Sequence, residues 1–342
     1  MTSKLTRNVA ISVLLVLAAC SAAVYAKYFA PSGDLDHYAR YTLPQNDGAP
    51  KNGAVKVTFL GTTTLLFDDG ESQLLVDGFL TRPSLWKVVT GSPLETDTVA
   101  VNRALSRARV ERLKALYVAH SHYDHVLDVA YIVQRTHAHL YGSFSTLNIG
   151  RGSGLSEDQL TLYEPGNEST VGNFTVTVFR SKHSPAPSAD SDIGVVIDSP
   201  LHPPARAASY REGGSFDVLI EHGEHTVLVK PSANYIEGAL DDVRADVLFL
   251  ATATLGSQTA AFQNAFYDQT VAKVRPRLVI PVHWDNAFTP LSDHLSAPYR
   301  VVDNLAGAFD FLVRRLGEDR IQFGIMQGYQ AIILFADDLP AR

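Results

Sequence analysis

Hydrophobic and polar positions divide the chain into three parts. Val9 through Ala26 contains no charged residue and follows Lys4 and Arg7, so it has the charge and length of an export signal or a membrane-anchoring helix. Residues 27–54 are polar and rich in proline and glycine, a composition typical of a linker. Beyond them, short apolar runs alternate with amphipathic runs, which predicts a folded domain over 55–342.

The first half of this domain opens with a predicted β-meander. Its apolar runs are separated by the turn signal Asp68-Asp69-Gly70, and a helical pattern then leads to a short buried strand. The predicted strands are Val55–Phe59, Thr63–Phe67, Gln73–Val76 and Ala115–Ala119, and the predicted helices are Val101–Lys114 and Val126–Arg135.

The second half again alternates strands and helices. The predicted strands are Phe174–Phe179, Gly194–Ile197, Phe216–Glu221, Thr226–Val229, Val247–Ala251 and Leu278–Val282, and the predicted helices are Thr259–Val274 and Val301–Leu316. The proline-rich stretch Ser184–Gly214 is predicted to be mostly loop, and a loop of that length is usually functional or mobile.

Composition and charge narrow the function classes. The chain has 342 residues, 46% of them apolar and 19% charged, with a formal net charge of −7, which is typical of a globular protein. A net negative chain without a long basic run lacks the electrostatic basis for nucleic-acid binding, so no nucleic-acid partner is expected. The single cysteine, Cys20, lies in the N-terminal apolar stretch. Any metal in the domain must therefore be bound by His, Asp or Glu.

The N-terminal stretch allows three interpretations. Leu17-Ala18-Ala19-Cys20 resembles the bacterial lipoprotein processing box, which would make Cys20 a lipidated first residue. Cleavage after Ala26 is the second interpretation, because small residues precede that site, and retention as an uncleaved anchor is the third. All three predict an exported body in the cell envelope, either anchored to a membrane or released.

The candidate chemistry lies in the segment His120-Ser121-His122-Tyr123-Asp124-His125. It follows a predicted buried strand, so its alternate residues His120 and His122 can point to one side of an extended backbone. Asp124 and His125, at the start of a helix, can turn toward a second position. Imidazole and carboxylate groups suit a borderline divalent metal such as zinc. One loop could therefore serve two metals.

This segment resembles the HxHxDH signature of the metallo-β-lactamase superfamily, and the resemblance extends from Val55 to the C-terminal strand. It implies an α+β fold, a four-layer αββα sandwich with the site at one edge. It also implies that Asp77 supports the ligands, and that His183 and His283, each following a strand, are ligands themselves. The implied ligand sets are His120, His122 and His183 on one metal, and Asp124, His125 and His283 on the other.

One position departs from the family pattern. Many hydrolases of the superfamily have an aspartate that bridges the two metals, and here Ser232 stands at the corresponding place after a predicted strand. The second metal should then be held less tightly, because less negative charge offsets two dications. Asp285 is the best nearby candidate for a compensating carboxylate, and its alternative role is a structural hydrogen bond.

The resemblance implies metal-assisted hydrolysis by a metal-bound hydroxide, with Asp124 and His283 as catalytic groups. We expect an exported hydrolase with two zinc ions, iron or manganese being alternatives, that acts on a small-molecule ester, lactone, amide or phosphodiester. A β-lactamase-type amide hydrolase and a non-enzymatic metal-binding envelope protein are the competing hypotheses. The membrane is expected as a partner through the N-terminus.

The remaining histidines and both tryptophans are expected to have structural roles in most cases. His222 and His225 flank a predicted hairpin tip, and His137 and His139 follow the helix after the motif. Trp86 and Trp284 fall on segments that border the site in this family, but core packing is the commoner role of tryptophan.

Overall fold

Two seven-stranded β-sheets form the centre of the computed structural model, which describes residues 2–51, 53–185 and 192–336. The strands of these residues are β1 (Val55–Phe59), β2 (Leu65–Asp68), β3 (Gln73–Val76), β4 (Pro93–Leu94), β5 (Leu113–Tyr117), β6 (His139–Gly142), β7 (Leu160–Leu162), β8 (Glu168–Val171), β9 (Phe174–Ser181), β10 (Ala205–Arg206), β11 (Ser215–His222), β12 (His225–Lys230), β13 (Val247–Ala251), β14 (Leu278–Val282), β15 (Gln322–Phe323) and β16 (Ala331–Leu334). The α-helices are α1 (Thr2–Val24), α2 (Leu85–Val89), α3 (Thr98–Arg107), α4 (Tyr123–Val126), α5 (Val129–Thr136), α6 (Phe144–Gly152), α7 (Ala260–Gln269), α8 (Val271–Val274) and α9 (Leu305–Asp319).

The first sheet has the strand order β16-β1-β2-β3-β5-β6-β7. Its opening strands β1, β2 and β3 form the predicted antiparallel meander. In this sheet β3, β5, β6 and β7 are parallel to one another, so their carboxyl ends lie at one edge. Asp77 follows β3 and the motif loop follows β5, which places both at that edge.

The second sheet has the strand order β15-β14-β13-β12-β11-β9-β8. β11 is antiparallel to both β9 and β12, and β12, β13 and β14 are parallel. β9, β12, β13 and β14 therefore run in one direction. The loop with His183 and the loop with His283 leave the same edge of this sheet, as expected where ligands collect at the carboxyl ends of strands.

The sheets pack face to face, and helices cover their outer faces. Successive residues of β3 show the alternation that this requires: Leu74 and Val76 belong to the core between the sheets, whereas Leu75 packs with the helices α3 and α5. Phe67 and Phe249, from opposite sheets, meet edge to face with ring centroids 6.1 Å apart. This arrangement is the four-layer αββα sandwich expected from the resemblance.

The predicted strand Gly194–Ile197 is wrong. These residues form a turn and an irregular segment, because side chains satisfy the backbone groups that a strand would pair. The N–H of Gly194 donates to Oε2 of Glu212 at 2.8 Å, and the N–H of Ile197 donates to the Ser145 hydroxyl at 2.8 Å.

Two predicted helices also have different limits. The predicted helix Val101–Lys114 begins earlier and ends at Arg107, because Asp97 caps its start and Arg109 adopts a left-handed backbone with φ 56°. The predicted helix Thr259–Val274 is divided into α7 and α8 at Thr270.

Residues 27–54, predicted as a linker, pack on the body instead of standing apart from it. Tyr38 is only 4% exposed, its ring meets Phe309 at 5.1 Å, and its hydroxyl donates to Asp310 at 2.7 Å. Farther along, Thr42 forms a β-bridge with Ile325. Most side chains described in this segment are exposed, which suits its polar composition, but Tyr38 and several partly buried apolar side chains anchor it to the core.

Replacement of Tyr38 by alanine should lower the free energy of unfolding by about 3 kcal/mol, because a buried aromatic ring is lost from a packed site. His37→Ala is the matched control, since the neighbouring side chain is exposed and should contribute little. Urea unfolding of the two variants measures the difference. Equal stability of both variants would contradict the packing of this segment.

Candidate metal centre

The motif loop begins where β5 ends. β5 stops at Tyr117, and the chain then reaches His120, whose side chain is buried. At His122 the backbone is still extended, with φ −65° and ψ 150°, and it then turns into α4. Asp124 and His125 lie in that first turn. The extended part of the loop thus presents two histidines, and the helix presents the other two groups.

Two groups of three side chains converge at this edge of the sheets. In each group, one ligand-capable atom from every residue lies within 4.8 Å of the others. The first group is His120, His122 and His183, and the second group is Asp124, His125 and His283. The ring centroids of His120 and His125 are 3.8 Å apart, so the two groups adjoin.

Hydrogen bonds determine which nitrogens of the first group face inward. Nδ1 of His122 lies 3.1 Å from Nε2 of His183, so these two atoms converge. Nδ1 of His183 lies 2.8 Å from the carbonyl oxygen of Ser184, to which its N–H donates. Because a neutral imidazole has one N–H, the lone pair of His183 is then on Nε2, the inward atom.

Asp77 holds His125 in the second group. Nδ1 of His125 lies 2.6 Å from Oδ2 of Asp77 and donates to it, which leaves the lone pair on Nε2. Oδ1 of Asp77 accepts a hydrogen bond from the N–H of Ala119 at 2.8 Å, and the Thr63 hydroxyl donates to Oδ2. Asp77 therefore makes the contacts of the supporting group that the resemblance implies.

The ionisation of His120, His183 and Asp124 suits a bound cation. Burial and the neighbouring imidazoles lower the pKa of His120 well below its usual value, and burial together with His122 lowers the pKa of His183 to about 4. Burial alone would raise the pKa of Asp124, but its hydrogen bond with His283 holds that pKa well below the usual range. At neutral pH His120 and His183 are therefore unprotonated and the carboxylate of Asp124 is charged, as metal ligands must be. In His125 burial opposes a positive charge, but the carboxylate of Asp77 outweighs it and raises the pKa of the ring.

Buried nitrogens without partners fit a metal at these positions. Among the described residues, both ring nitrogens of His120 and Nε2 of His125 are buried without a hydrogen-bond partner. A buried polar atom left unpaired costs about 1–3 kcal/mol, and coordination would remove that cost. Imidazole nitrogens with one carboxylate are a donor set for zinc or a similar divalent ion.

Asp285 forms a buried ion pair and belongs to neither group. Its Oδ2 lies 2.6 Å from Nη1 of Arg82, and both side chains are fully buried. Its Oδ1 accepts a hydrogen bond from the N–H of Thr62 at 2.7 Å, while the carbonyl of Thr62 accepts one from the N–H of His283 at 2.6 Å. These contacts match the structural alternative for Asp285, because the pair holds the turn that carries His283.

A glycine is required at position 61, because the guanidinium of Arg82 packs against the backbone there. Gly61 has φ 81°, and a Cβ at that position would collide with the guanidinium of Arg82. Its neighbour Thr62 and the ligand His283 both have left-handed backbones, with φ 52° and 54°. Such conformations are unfavourable for residues with a Cβ, so the surrounding contacts must hold them.

Ser232 lies in the turn after β12 and is buried. This turn is tied to the first group, because the side-chain amide of Asn234 donates to the carbonyl of His183 at 2.7 Å. Lys230, at the end of β12, is also buried and pairs with Asp217 at 3.0 Å. The turn therefore positions the His183 loop through hydrogen bonds.

His137, His222 and His225 lie on the elements expected for them, but His139 begins β6 instead of ending the helix. His222 and His225 pair across the β11–β12 hairpin, and His137 ends α5 with a left-handed backbone. Trp284 is fully buried in the core, where it stacks near Phe59 with centroids 6.4 Å apart. Trp86 is 75% exposed on α2, so neither the core nor an enclosed pocket holds it.

Asp192 is a further acidic residue at the centre, which sequence reasoning missed. Its residue exposure is 8%, and its Oδ2 lies 3.2 Å from Nε2 of His122. It belongs to the stretch Ser184–Gly214, whose length was the only signal of function in the sequence. No spacing pattern links an aspartate in an irregular loop to a histidine 70 positions earlier.

Sequence comparison finds relatives of this chain among metal-dependent hydrolases. No family model matches the chain. A UPF0173 metal-dependent hydrolase of Symbiobacterium thermophilum is 25% identical over 269 residues, which cover 77% of this chain and 98% of that protein. A UPF0173 metal-dependent hydrolase of Roseiflexus sp. (strain RS-1) is 26% identical over 140 residues, and this match spans about half of the relative's length, 49%, and 40% of this chain.

A comparison of structures gives the same fold. The crystal structure of a possible metal-dependent hydrolase from Veillonella parvula matches with a TM-score of 0.50 and 14% identity, over 82% of this chain and 99% of that chain. Together with the order of strands and helices, this match shows that the chain has the metallo-β-lactamase fold. Its relatives in sequence are metal-dependent hydrolases.

Replacement of Arg82 by methionine should lower the free energy of unfolding by about 3–5 kcal/mol, because Asp285 would be left buried and unpaired. Arg107→Met is the matched control, since the ion pair of Arg107 with Asp293 is exposed and such pairs contribute about 1 kcal/mol or less. The double variant Arg82→Met with Asp285→Asn should recover part of the loss.

Chemical denaturation of the three variants and the unaltered protein provides the measurement. If Arg82→Met were as mild as Arg107→Met, the ion pair would not support the His283 turn as described.

Proposed function

We propose that this chain, which has the metallo-β-lactamase fold and UPF0173 metal-dependent hydrolases as relatives, is an exported metal-dependent hydrolase. The observation that carries the proposal is the convergence of five imidazoles and one carboxylate in two adjoining groups. The supporting chemistry is ionisation, because His120 and His183 are unprotonated and Asp124 is charged at neutral pH. We propose zinc as the metal, with one ion at each group.

When bound, such ions supply hydroxide at neutral pH by lowering the pKa of water toward ~7, and they polarise the scissile bond. The side chains of the two groups would hold these ions. His120, His122 and His183 bind at the first group, and Asp124, His125 and His283 bind at the second. No side-chain nucleophile is needed, so the proposed substrates are small molecules with an ester, lactone, amide or phosphodiester bond.

Asp124 and His283 are proposed to act in the reaction as well as in binding. Nε2 of His283 lies 3.3 Å from Oδ2 of Asp124, so the two side chains meet at one point of the second group. Because the pKa of Asp124 is well below its usual value, its carboxylate stays charged at neutral pH and can offset positive charge beside the reacting bond. His283, on the other side of the group, would help to hold an ion next to the substrate.

The second group should bind its ion more weakly than the first. Ser232 stands where the family pattern has a bridging aspartate, and Asp285 is neutralised by Arg82. Asp124 is thus the one carboxylate among the six proposed ligands. Two dications at close range repel each other, and a single carboxylate offsets only part of that repulsion.

His122→Ala should remove most of the metal bound at the first group and abolish hydrolysis, because two imidazoles hold a zinc ion poorly. His225→Ala is the matched control, since this histidine lies on the β11–β12 hairpin and outside both groups. Metal analysis and a turnover panel of a cephalosporin, a lactone, a phosphodiester and a thioester give the readout. The unaltered protein should bind close to two ions at saturation.

An unaltered protein without tight metal after zinc addition would overturn the proposal. Equal losses in His122→Ala and His225→Ala would show that the ligands are assigned wrongly.

We propose that the N-terminal helix directs export and attaches the protein to a membrane. α1 continues through a π-helical turn at Tyr25–Phe29, and the stretch Ile11–Phe29 has a mean hydropathy of 1.8 with none of it buried. A helix of this length and composition suits either a signal sequence or an anchor. The membrane is the proposed partner of this segment.

Full-length protein should fractionate with membranes, and removal of residues 1–26 should make the body soluble. Cys20→Ala distinguishes a lipid from a helical anchor, because only the lipidated form gains mass through the thiol. If Cys20→Ala still fractionates with membranes and the unaltered protein carries no lipid, the helix is the anchor. Solubility of the full-length protein would contradict both forms of attachment.

A further inference from the structure

We propose that Asp192 is a positioning residue for His122, which it holds in the tautomer and orientation needed for metal binding. This inference rests on the proposed function, because it concerns the first ligand group. It adds a residue from the irregular loop after β9, for which neither the family pattern nor the relatives provide a role.

The two nitrogens of His122 face different partners. Nδ1 lies 3.1 Å from Nε2 of His183, inside the first group, whereas Nε2 lies 3.2 Å from Oδ2 of Asp192. An ionised carboxylate only accepts hydrogen bonds, so Nε2 of His122 carries the proton and donates. The lone pair is then on Nδ1, the atom that faces the ligand group.

The neighbouring histidines show the same arrangement, in which the outward ring nitrogen donates to an oxygen. His125 donates from Nδ1 to Asp77, and His183 donates from Nδ1 to the carbonyl of Ser184. Asp192 gives His122 the corresponding acceptor. A carboxylate behind a metal-binding imidazole fixes the ring and makes it a stronger donor, and loss of such a partner typically weakens metal binding about 10–100-fold.

Asp192 is itself held in place by the fold. Its carbonyl accepts a hydrogen bond from the N–H of Val195 at 2.9 Å, and the N–H of Gly194 donates to the carboxylate of Glu212 at 2.8 Å. The carbonyl of Glu212 accepts from the N–H of Ser121, between His120 and His122, at 2.9 Å. Glu212 therefore joins the loop of Asp192 to the motif loop.

The carboxylate of Asp192 is also poorly compensated by other groups. Its Oδ1 is buried and has no hydrogen-bond partner in the part of the chain that the structure describes. Burial of a carboxylate with one free oxygen is unfavourable. A cation at the first group, linked to Asp192 through the imidazole of His122, would supply positive charge close to this carboxylate.

The test uses full-length protein with zinc and cobalt(II) as probes. Asp192→Ala should weaken zinc binding at the first group by about 10–100-fold in competition with a chromophoric chelator, and it should change the visible absorption of bound cobalt. Asp192→Asn keeps an acceptor oxygen without the charge, so its loss should be smaller. Asp198→Ala is the matched control, because Asp198 is exposed in the same loop and should leave both readouts unchanged.

Thermal unfolding of the metal-free variants separates positioning from folding. Asp192→Ala with an unchanged metal-free unfolding temperature, weakened zinc binding and an altered cobalt spectrum supports the inference. Zinc affinity and a cobalt spectrum equal to those of Asp198→Ala overturn it, and so does a loss of affinity that only parallels a loss of metal-free stability. If the unaltered protein binds no zinc, the proposed function itself fails, which is a distinguishable result.

Discussion

Both ligand groups depend on the carboxylate of Asp77, because it joins segments that are far apart in the chain. Asp77 is fully buried at the end of β3, and its own N–H donates to the carbonyl of Tyr117 on β5. Its two oxygens bind the N–H of Ala119, the Thr63 hydroxyl and the ring of His125. A buried carboxylate persists only when such partners satisfy it. The start of the motif loop is thus fixed by the sheet and not by the loop.

Buried charged groups play a comparable part around the rest of the centre. Arg82 and Asp285 hold the turn that carries His283, and Lys230 and Asp217 hold the end of β12. A buried ion pair adds little net stability compared with apolar packing, but the loss of one partner is costly. Such pairs therefore define geometry more than they define stability. The six candidate ligand side chains lie among contacts of that kind, which suit a site that needs a fixed geometry.

Local patterns in the sequence were sufficient for much of the fold and for the motif loop. The meander, the buried strand before His120 and the later strands follow from apolar periodicity, and the ligand types follow from the spacing in the motif. His183 and His283 were found through the family resemblance, because nothing local connects them to the motif.

Contacts between distant residues without a periodic pattern could not be predicted. Arg82 and Asp285 are more than two hundred positions apart, and Asp192 lies in a loop whose apolar residues Ile193, Val195 and Val196 are exposed. Those apolar residues produced the wrong strand at Gly194–Ile197. Tyr38 was overlooked for a related reason, since one buried ring does not change the composition of a polar segment.

For a protein attached to a bilayer through its N-terminus, as proposed, the packed segment after α1 would limit how far the body stands from the membrane. The carbonyl of Tyr28 already accepts from the N–H of Val301 at 2.9 Å, so little free chain precedes the body. With a lipid on Cys20, the stretch to Tyr28 would extend about 27 Å at most and about 12 Å as a helix. Cleavage after Ala26 would leave no attachment at all. If the protein is exported as proposed, a retained helix or a lipid on Cys20 would hold the body close to the membrane surface, and cleavage after Ala26 would release it, with no long, mobile tether in either case.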